Sequence, residues 1–283
     1  MVEKRVILVV LAHPDDETFG MGGTLALYAQ QGIEVNLVCA TRGEVGDVPE
    51  GMMEGYASVA ELREHELLEA TKILGLKNVD FLGYRDSGMP GSPDNKHPQA
   101  LAAAPLDEVA GKVVQYIRKY RPQVVLTFDP IGGYHHPDHI AIQRATEKAF
   151  YKAGDGSFFP ENYPPFFPKK LYFHTMPKGL LRFGIFLMKL IGRDPHKFGR
   201  NGDIDLVVIA KESFPVNAVI HYLPAAEVRE HAAAQHASQG GTQITSGGII
   251  GQIRRTLNAR DQFMRAYPPA DKHVEKDLFE GIE

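Results

Sequence analysis

Two short runs of the sequence concentrate the residue types that bind metals and move protons. The first is Ala12-His13-Pro14-Asp15-Asp16-Glu17; the second is Tyr134-His135-His136-Pro137-Asp138-His139. Three carboxylates and an imidazole on one turn repel one another unless a cation offsets their charge. A metal held by His13 and Asp16 supplies that cation. Asp15 is then left beside the metal, where a general base for an activated water belongs. The alternative is that Asp15 or Asp16 caps a helix, since Asp is a favoured N-cap. A cap explains one acid but not a histidine together with a second acid. The local sequence leaves both readings open.

In the second run, Pro137 suits the first position of a helix, which puts His136 and His139 one turn apart on the same side. Asp138 can orient or charge-stabilise one of these histidines, as carboxylate partners do at zinc sites. Three histidines in five residues also occur by chance on a surface, so location decides. His13, Asp16 and His139 together form a two-imidazole, one-carboxylate set with open positions for water and substrate. That composition marks a catalytic zinc site rather than a closed structural one.

The elements around these runs set where they stand. Val6–Leu11, Glu34–Ala40, Val79–Leu82, Val124–Phe128 and Leu206–Ala210 are short aliphatic runs expected of buried strands. Helical patterns lie between them. Thr24–Gln31 and Ser58–Leu74 each stop at a glycine, and Pro105–Tyr120 stops before Arg121-Pro122. The alternation predicts a Rossmann-like α/β fold, a parallel sheet with helices on both faces. Both histidine runs directly follow strands, so both emerge at the carboxyl edge of the sheet, where open α/β sheets carry their sites. A nucleotide-binding G-x-G-x-x-G turn is missing after the first strand, because Gly20, Gly22 and Gly23 come too late.

The chain of 283 residues carries a net charge of −4, which gives no electrostatic case for nucleic acid. A single cysteine, Cys39, and no recognisable signal peptide suit a reducing cytoplasm. The chain is expected to form one domain: a core over residues 1–152, a variable loop and apolar helix over 153–203, and a C-terminal portion over 204–283. Gly154–Pro168 is a Pro- and aromatic-rich irregular loop. Gly179–Ile191 is apolar nearly all round yet too short to span a membrane, which takes about 20 residues. A subunit contact or a lid is the plainer expectation for it, and a helix lying on a membrane surface the sharper one.

The two runs, in this order, resemble the PIG-L/LmbE-type family of zinc-dependent N-acetylglucosaminyl deacetylases. The likeness continues through Thr41-Arg42-Gly43-Glu44, Arg63–Glu66, Arg85-Asp86-Ser87-Gly88-Met89 and His236-Ala237-Ser238-Gln239. It implies His13, Asp16 and His139 as ligands of Zn2+ (or Fe2+ in vivo) and Asp15 as the base. It further implies His136 as the group stabilising the oxyanion and protonating the leaving amine, Asp138 as the residue tuning it, and Tyr134 as a contact to the intermediate. Arg63 and Asp86 fall on substrate-holding positions, and Met89 closes a run resembling the branch that acts on mycothiol-type substrates, either the glucosaminyl-inositol deacetylase or the conjugate amidase.

Arg42 and Glu44 follow the second strand and either line the pocket or form surface ion pairs. Taken alone, Arg63 and Glu66 make an exposed helical pair. His236 ends a helical stretch, Ala225–Ala237; in some members a C-terminal histidine completes a neighbouring subunit's site, which implies a homo-oligomer. The function expected is removal of an acetyl group from an N-acetylglucosamine-type sugar or glycoconjugate. The rivals are a non-haem iron oxygenase, a non-catalytic sugar-binding protein and a Mg2+-dependent glycosyltransferase. The first needs an H-x-D/E pair on a β-barrel where this chain has H-x-x-D on an α/β frame, intact Asp15 and His136 argue against the second, and the third leaves the histidines unexplained.

Overall fold

The computed structural model describes residues 4–160, 162–198, 202, 204–244 and 259–282. The expected variable loop, apolar helix and C-terminal portion are described there except at 161, 199–201, 203, 245–258 and 283. Seven strands form one sheet: β1 (Val6–Leu11), β2 (Glu34–Cys39), β3 (Asn78–Phe81), β4 (Val124–Phe128), β5 (Lys170–Thr175), β6 (Ala218–His221) and β7 (Arg260–Tyr267), in the order β3-β2-β1-β4-β5-β7-β6. The first five are parallel. Strands β1 and β4 are fully buried along their length, which is why they read as unbroken aliphatic runs.

Helices α1 (Asp16–Gln30) and α2 (Val59–Leu74) pack with α8 (Ala226–Gln235), while α3 (Leu106–Tyr120) packs with α5 (Pro137–Lys152). Sequence signals explain their ends. Ser58 caps α2 by accepting from Glu61 N, and Gly75 closes it with φ 80°. Pro137 occupies the first turn of α5.

The parallel core is as expected; the C-terminal portion adds β7 antiparallel to both β5 and β6, so the whole sheet is mixed. Strand β7 is hard to see in the sequence because R-D-Q-F-M-R-A-Y alternates buried Asp261 and Phe263 with polar neighbours on the other face. The apolar run Leu206–Ala210, expected as a strand, is instead helix α7 (Leu206–Lys211). Asp205 decides this: its Oδ1 accepts from Val207 N at 2.9 Å and Val208 N at 3.0 Å, so the run starts with a helix cap. Two further α-helices are found among the described residues, α4 (Gly132–His135) and α6 (Lys178–Leu190), the latter over the apolar stretch. No helix among the described residues is long and apolar enough to cross a membrane.

Topology locates the chemistry. After β1 the chain builds β2 and β3 outward on one side, then returns through α3 to place β4 on the other side of β1. The connections leaving β1 and β4 therefore diverge and open a crevice at the carboxyl edge. His13 follows β1 and His139 follows β4.

Candidate metal centre

His13, His136 and His139 are all buried and their rings stand against one another. Ring centroids lie 4.6 Å apart for His13 and His136, 5.1 Å for His13 and His139, and 4.9 Å for His136 and His139. His13 Nδ1 is 3.1 Å from His139 Nε2. Asp16 completes a triangle, with Oδ2 3.6 Å from His13 Nδ1 and Oδ1 3.3 Å from His139 Nε2. Ligands about 2.0–2.1 Å from one zinc ion stand about 3.3 Å apart in tetrahedral geometry. The His13–His139 and Asp16–His139 edges have that size, and Asp16 presents a different oxygen to each ring.

The outer contacts of the two rings show which nitrogens carry lone pairs. His139 Nδ1 lies 3.1 Å from the Gly132 carbonyl, which can only accept, so Nδ1 carries the proton and Nε2 the lone pair. His13 Nε2 faces two carboxylates, Asp138 Oδ2 at 3.2 Å and Asp86 Oδ1 at 3.4 Å, so it too is a donor. Two imidazole nitrogens and Asp16 Oδ1 thus face one another with no protein donor between them, while Asp16 Oδ2 accepts from His13 N at 2.7 Å. Only a cation satisfies such a point: a metal ion, or an extra proton on His13. Burial disfavours charge on His13, but Asp86, Asp138 and Asp16 outweigh it and raise its proton affinity well above the usual range. The donor set fits a divalent ion with oxygen and imidazole ligands. Two further triplets bring donors within 4.8 Å of one another: His13, His136 and His139, and His13, Asp86 and Asp138. In the second, Asp86 and Asp138 face His13 Nε2 from behind, which suits carboxylates that orient a ligand.

Asp15 sits at the N-cap position of α1 with φ 117°, yet its side chain caps nothing. A non-glycine residue in this region costs about 1–3 kcal/mol, so surrounding contacts must hold it. Its N–H donates to Glu17 Oε2 at 3.0 Å, and its Oδ2 accepts from Arg63 Nη2 at 3.1 Å. Burial pushes the Asp15 carboxyl up to about 7, with Arg63 opposing and Asp16 adding to the rise. Burial also works against charge on Asp16, but His139 and His13 overcome it and hold that carboxylate well below the usual range. Two adjacent acids are driven apart in this way, as acid and base assignments require.

His136 is the N-cap residue of α5, with Nδ1 accepting from Asp138 N at 3.2 Å. Burial, then His13 and His139, push its pKa down to about 2, so it is neutral with the proton on Nε2. The resemblance implied that the Asp138 carboxylate tunes His136. It is directed instead at His13, and Ser87 binds it from the far side, N to Oδ2 at 2.8 Å and Oγ to Oδ1. Burial, opposed by Asp16, lowers His139 to about 4. Tyr134 lies edge-on to His139, ring centroids 5.0 Å apart.

The remaining candidates are placed as follows. Arg63 is buried and donates to Gly43 O and Pro14 O as well as to Asp15. Gly43 leaves room for it: at φ 68°, a Cβ there would come within 2.1 Å of Nη1. Glu66, expected as its partner, accepts from Ser238 N and Oγ instead. Asp86 is buried, and Glu44 stands behind it, accepting from Asp86 N at 2.9 Å. Arg42 does not join the cluster; it pairs with Glu64 and stacks over Phe81. Met89 is half-buried, with its carbonyl taken by Asn95. His236 is fully buried and binds Glu17 Oε1 through Nε2 at 2.8 Å. Sequence reasoning gave no role to Glu17 or Ser87. Both belong to runs already singled out, A-H-P-D-D-E and R-D-S-G-M, which was the available signal.

Residues 8–150 match the PIG-L family, described as GlcNAc-PI de-N-acetylase. A 1D-myo-inositol 2-acetamido-2-deoxy-alpha-D-glucopyranoside deacetylase from Geodermatophilus obscurus is 37% identical, over 100% of this chain and 99% of its own. One of the same name from Streptomyces avermitilis is 33% identical, over 98% and 97%. A conserved protein from Thermus thermophilus superimposes with a TM-score of 0.59 at 25% identity, covering 94% of this chain and 96% of that one. The N,N'-diacetylchitobiose deacetylase of Pyrococcus horikoshii shares the fold, with a TM-score of 0.60 at 21% identity over 93% and 84%. With the family match spanning half of the sequence and relatives above 30% identity along nearly all of it, the chain belongs to the PIG-L family.

Proposed function

We propose that the protein is a metal-dependent N-deacetylase acting on an N-acetylglucosamine-type sugar or glycoconjugate, with zinc or ferrous iron as its metal. The observation that carries this reading is the convergence of His13 Nδ1, His139 Nε2 and Asp16 on one point, with Asp15 held beside it. His13, Asp16 and His139 would hold the metal, and Asp86 and Asp138 would orient His13 through its other nitrogen. When bound, such an ion supplies Lewis acidity that brings the pKa of a water from 15.7 to about 7.

Asp15 takes the proton of the attacking water and hands it to the departing nitrogen as the C–N bond breaks. Its Oδ2 is fixed by Arg63, which leaves Oδ1 as the receiving atom. His136, with Nδ1 occupied by a main-chain N–H, donates from Nε2 to the oxygen that becomes negative when the amide carbon turns tetrahedral. Arg63 acts here through Asp15: Nη2 donates to Asp15 Oδ2 and Pro14 O and Nη1 to Gly43 O, while its buried Nε has no hydrogen-bond partner. The acetamido sugar in the names of the two relatives supports the substrate class.

The test is metal analysis of the purified protein, followed by amine release from N-acetylglucosamine, N,N'-diacetylchitobiose and N-acetylglucosaminyl-inositol. Equal amounts of acetate and free amine from at least one of them are expected. Metal-loaded protein that releases amine from none would overturn the reading.

A further inference from the structure

Helix α6 has two apolar faces on opposite sides. Leu181, Ile185 and Met188, spaced as i, i+4 and i+7, share the inner one, with Ile185 buried and the other two half-buried. Phe183, Phe186, Leu187 and Leu190, spaced as i, i+3, i+4 and i+7, share the other. They are 59, 61, 41 and 71% exposed, and Ile191 at the helix end is 67% exposed. Packing against the protein body requires a single apolar stripe. The second stripe is satisfied by nothing among the described residues, and a contiguous apolar surface of this kind marks a contact.

The charges around the stripe choose the occupant. Lys178, Arg182, Lys189 and Arg193 fall within this helix and the turn after it, and residues 178–193 hold no Asp or Glu, in a chain of net charge −4. At 100° per residue, Lys178, Arg182 and Lys189 lie together on the flank between the two faces. Lys178 is half-buried and its Nζ donates to Ile209 O at 3.0 Å, whereas Arg182, which also donates to Ala210 O at 3.3 Å, is exposed, as are Lys189 and Arg193. A second copy laid face to face would bring like cations together without a carboxylate from either helix. An anionic lipid surface complements both the aromatic stripe and its basic flank.

We propose that α6 docks in the plane of an anionic membrane surface through Phe183, Phe186, Leu187 and Leu190. Its 13 residues span about 20 Å, short of the ~30 Å hydrocarbon core, so the helix lies on the bilayer and does not cross it. The docked edge adjoins the metal centre. Strand β5 ends at Thr175 on the carboxyl edge, α6 begins at Lys178, and α7 packs against both α6 and the short helix α4 that carries Tyr134. The surface stands whether or not the deacetylase reading holds.

Sedimentation of the full chain with vesicles tests it, using phosphatidylcholine alone and phosphatidylcholine mixed with phosphatidylglycerol. The wild type is expected to pellet with the mixed vesicles, less so at high salt. Phe183→Ser/Phe186→Ser/Leu190→Ser should weaken that binding by about tenfold or more. Arg182→Gln/Lys189→Gln should weaken binding to mixed vesicles and leave any residual binding to phosphatidylcholine unchanged. Circular dichroism and Tm establish that the variants fold, and the charge variant carries the test if the triple variant does not. The proposal is overturned if the wild type ignores mixed vesicles or if the folded variants bind as it does. A wild-type dimer that the exposed-face variant converts to monomer would also overturn it, by assigning the stripe to a second copy.

Discussion

Two clusters of buried charge lie at opposite ends of the sheet, and their difference separates structure from function. At the amino end of β5, Lys170 Nζ binds Glu275 Oε1 at 2.7 Å and Tyr172 Oη at 3.0 Å, and Arg265 also pairs with Glu275. That cluster meets its anion with cations of its own. At the carboxyl edge, Asp15, Asp16, Asp86 and Asp138 crowd around His13 with Arg63 as the one permanent cation in contact among the described residues. Buried charges are tolerated when paired. The first cluster is complete in itself, whereas the second is shaped around a cation that the chain does not provide. Asp15 sits at φ 117° beside the incomplete cluster.

Substitutions can break or sharpen this contrast. The largest effect is expected from the adjacent pair Asp15 and Asp16. Asp16→Ala should lose both metal and activity, while Asp15→Ala should keep its metal and lose about 10³-fold or more in kcat. Metal content measured beside the rate decides between them, and loss of metal in Asp15→Ala would make it a ligand. His136→Ala should lower kcat by about 10²–10³ with metal retained; an unchanged kcat would remove its oxyanion role.

A smaller effect is expected one layer back. Glu17 joins buried His236 to the Asp15 main chain, so His236→Gln and Glu17→Gln should each lower kcat about tenfold with KM unchanged. Equal losses in kcat and in folded fraction would reduce the pair to packing. At the other end of the sheet, Glu275→Gln leaves buried Lys170 without its anion, while Arg265 keeps Asp271, and should cost about 3 kcal/mol of stability by denaturant unfolding. Its activity per folded molecule should match wild type. A fall in that value would show that the two clusters are coupled.

Legibility followed aliphatic composition, since buried β5 (K-L-Y-F-H-T) went unread while half-buried β3 did not. Strands β1 and β4, buried on both faces, stood out as aliphatic runs, and the helix ends stood out wherever Ser58, Gly75 or Pro137 supplied a cap or a first turn. Strands β6 and β7 stayed hidden because four-residue A-V-I-H is too short to show a period and β7 mixes Arg, Asp and Gln into its alternation. Leu206–Ala210 misled because a five-residue apolar run has no period of its own, and the Asp205 cap outweighed it. In the centre, the residue types were visible but several partners were not. Arg63 and Glu66, three apart on one helix, diverge to Asp15 and to Ser238, contacts 48 and 172 residues away in the chain. Arg42 shows the opposite outcome, a candidate that ended in a surface pair.

The sequence by itself determined which atoms are available, namely imidazoles and carboxylates packed onto the turns after two strands, and it carried the family likeness in those same residues. Only the tertiary structure decided that β1 and β4 are neighbours, with Ile7 beside Val124 and Val9 beside Leu126. That pairing brings His13 within 3.1 Å of His139, 126 residues further along the chain. It also decided which nitrogen of each ring faces inward, because the carboxylates and the carbonyl that claim the outer nitrogens come from other segments. The physical reason is that a metal centre is a matter of distances of a few ångströms and lone-pair directions. A linear pattern specifies the donors, and the sheet's strand order specifies where they point.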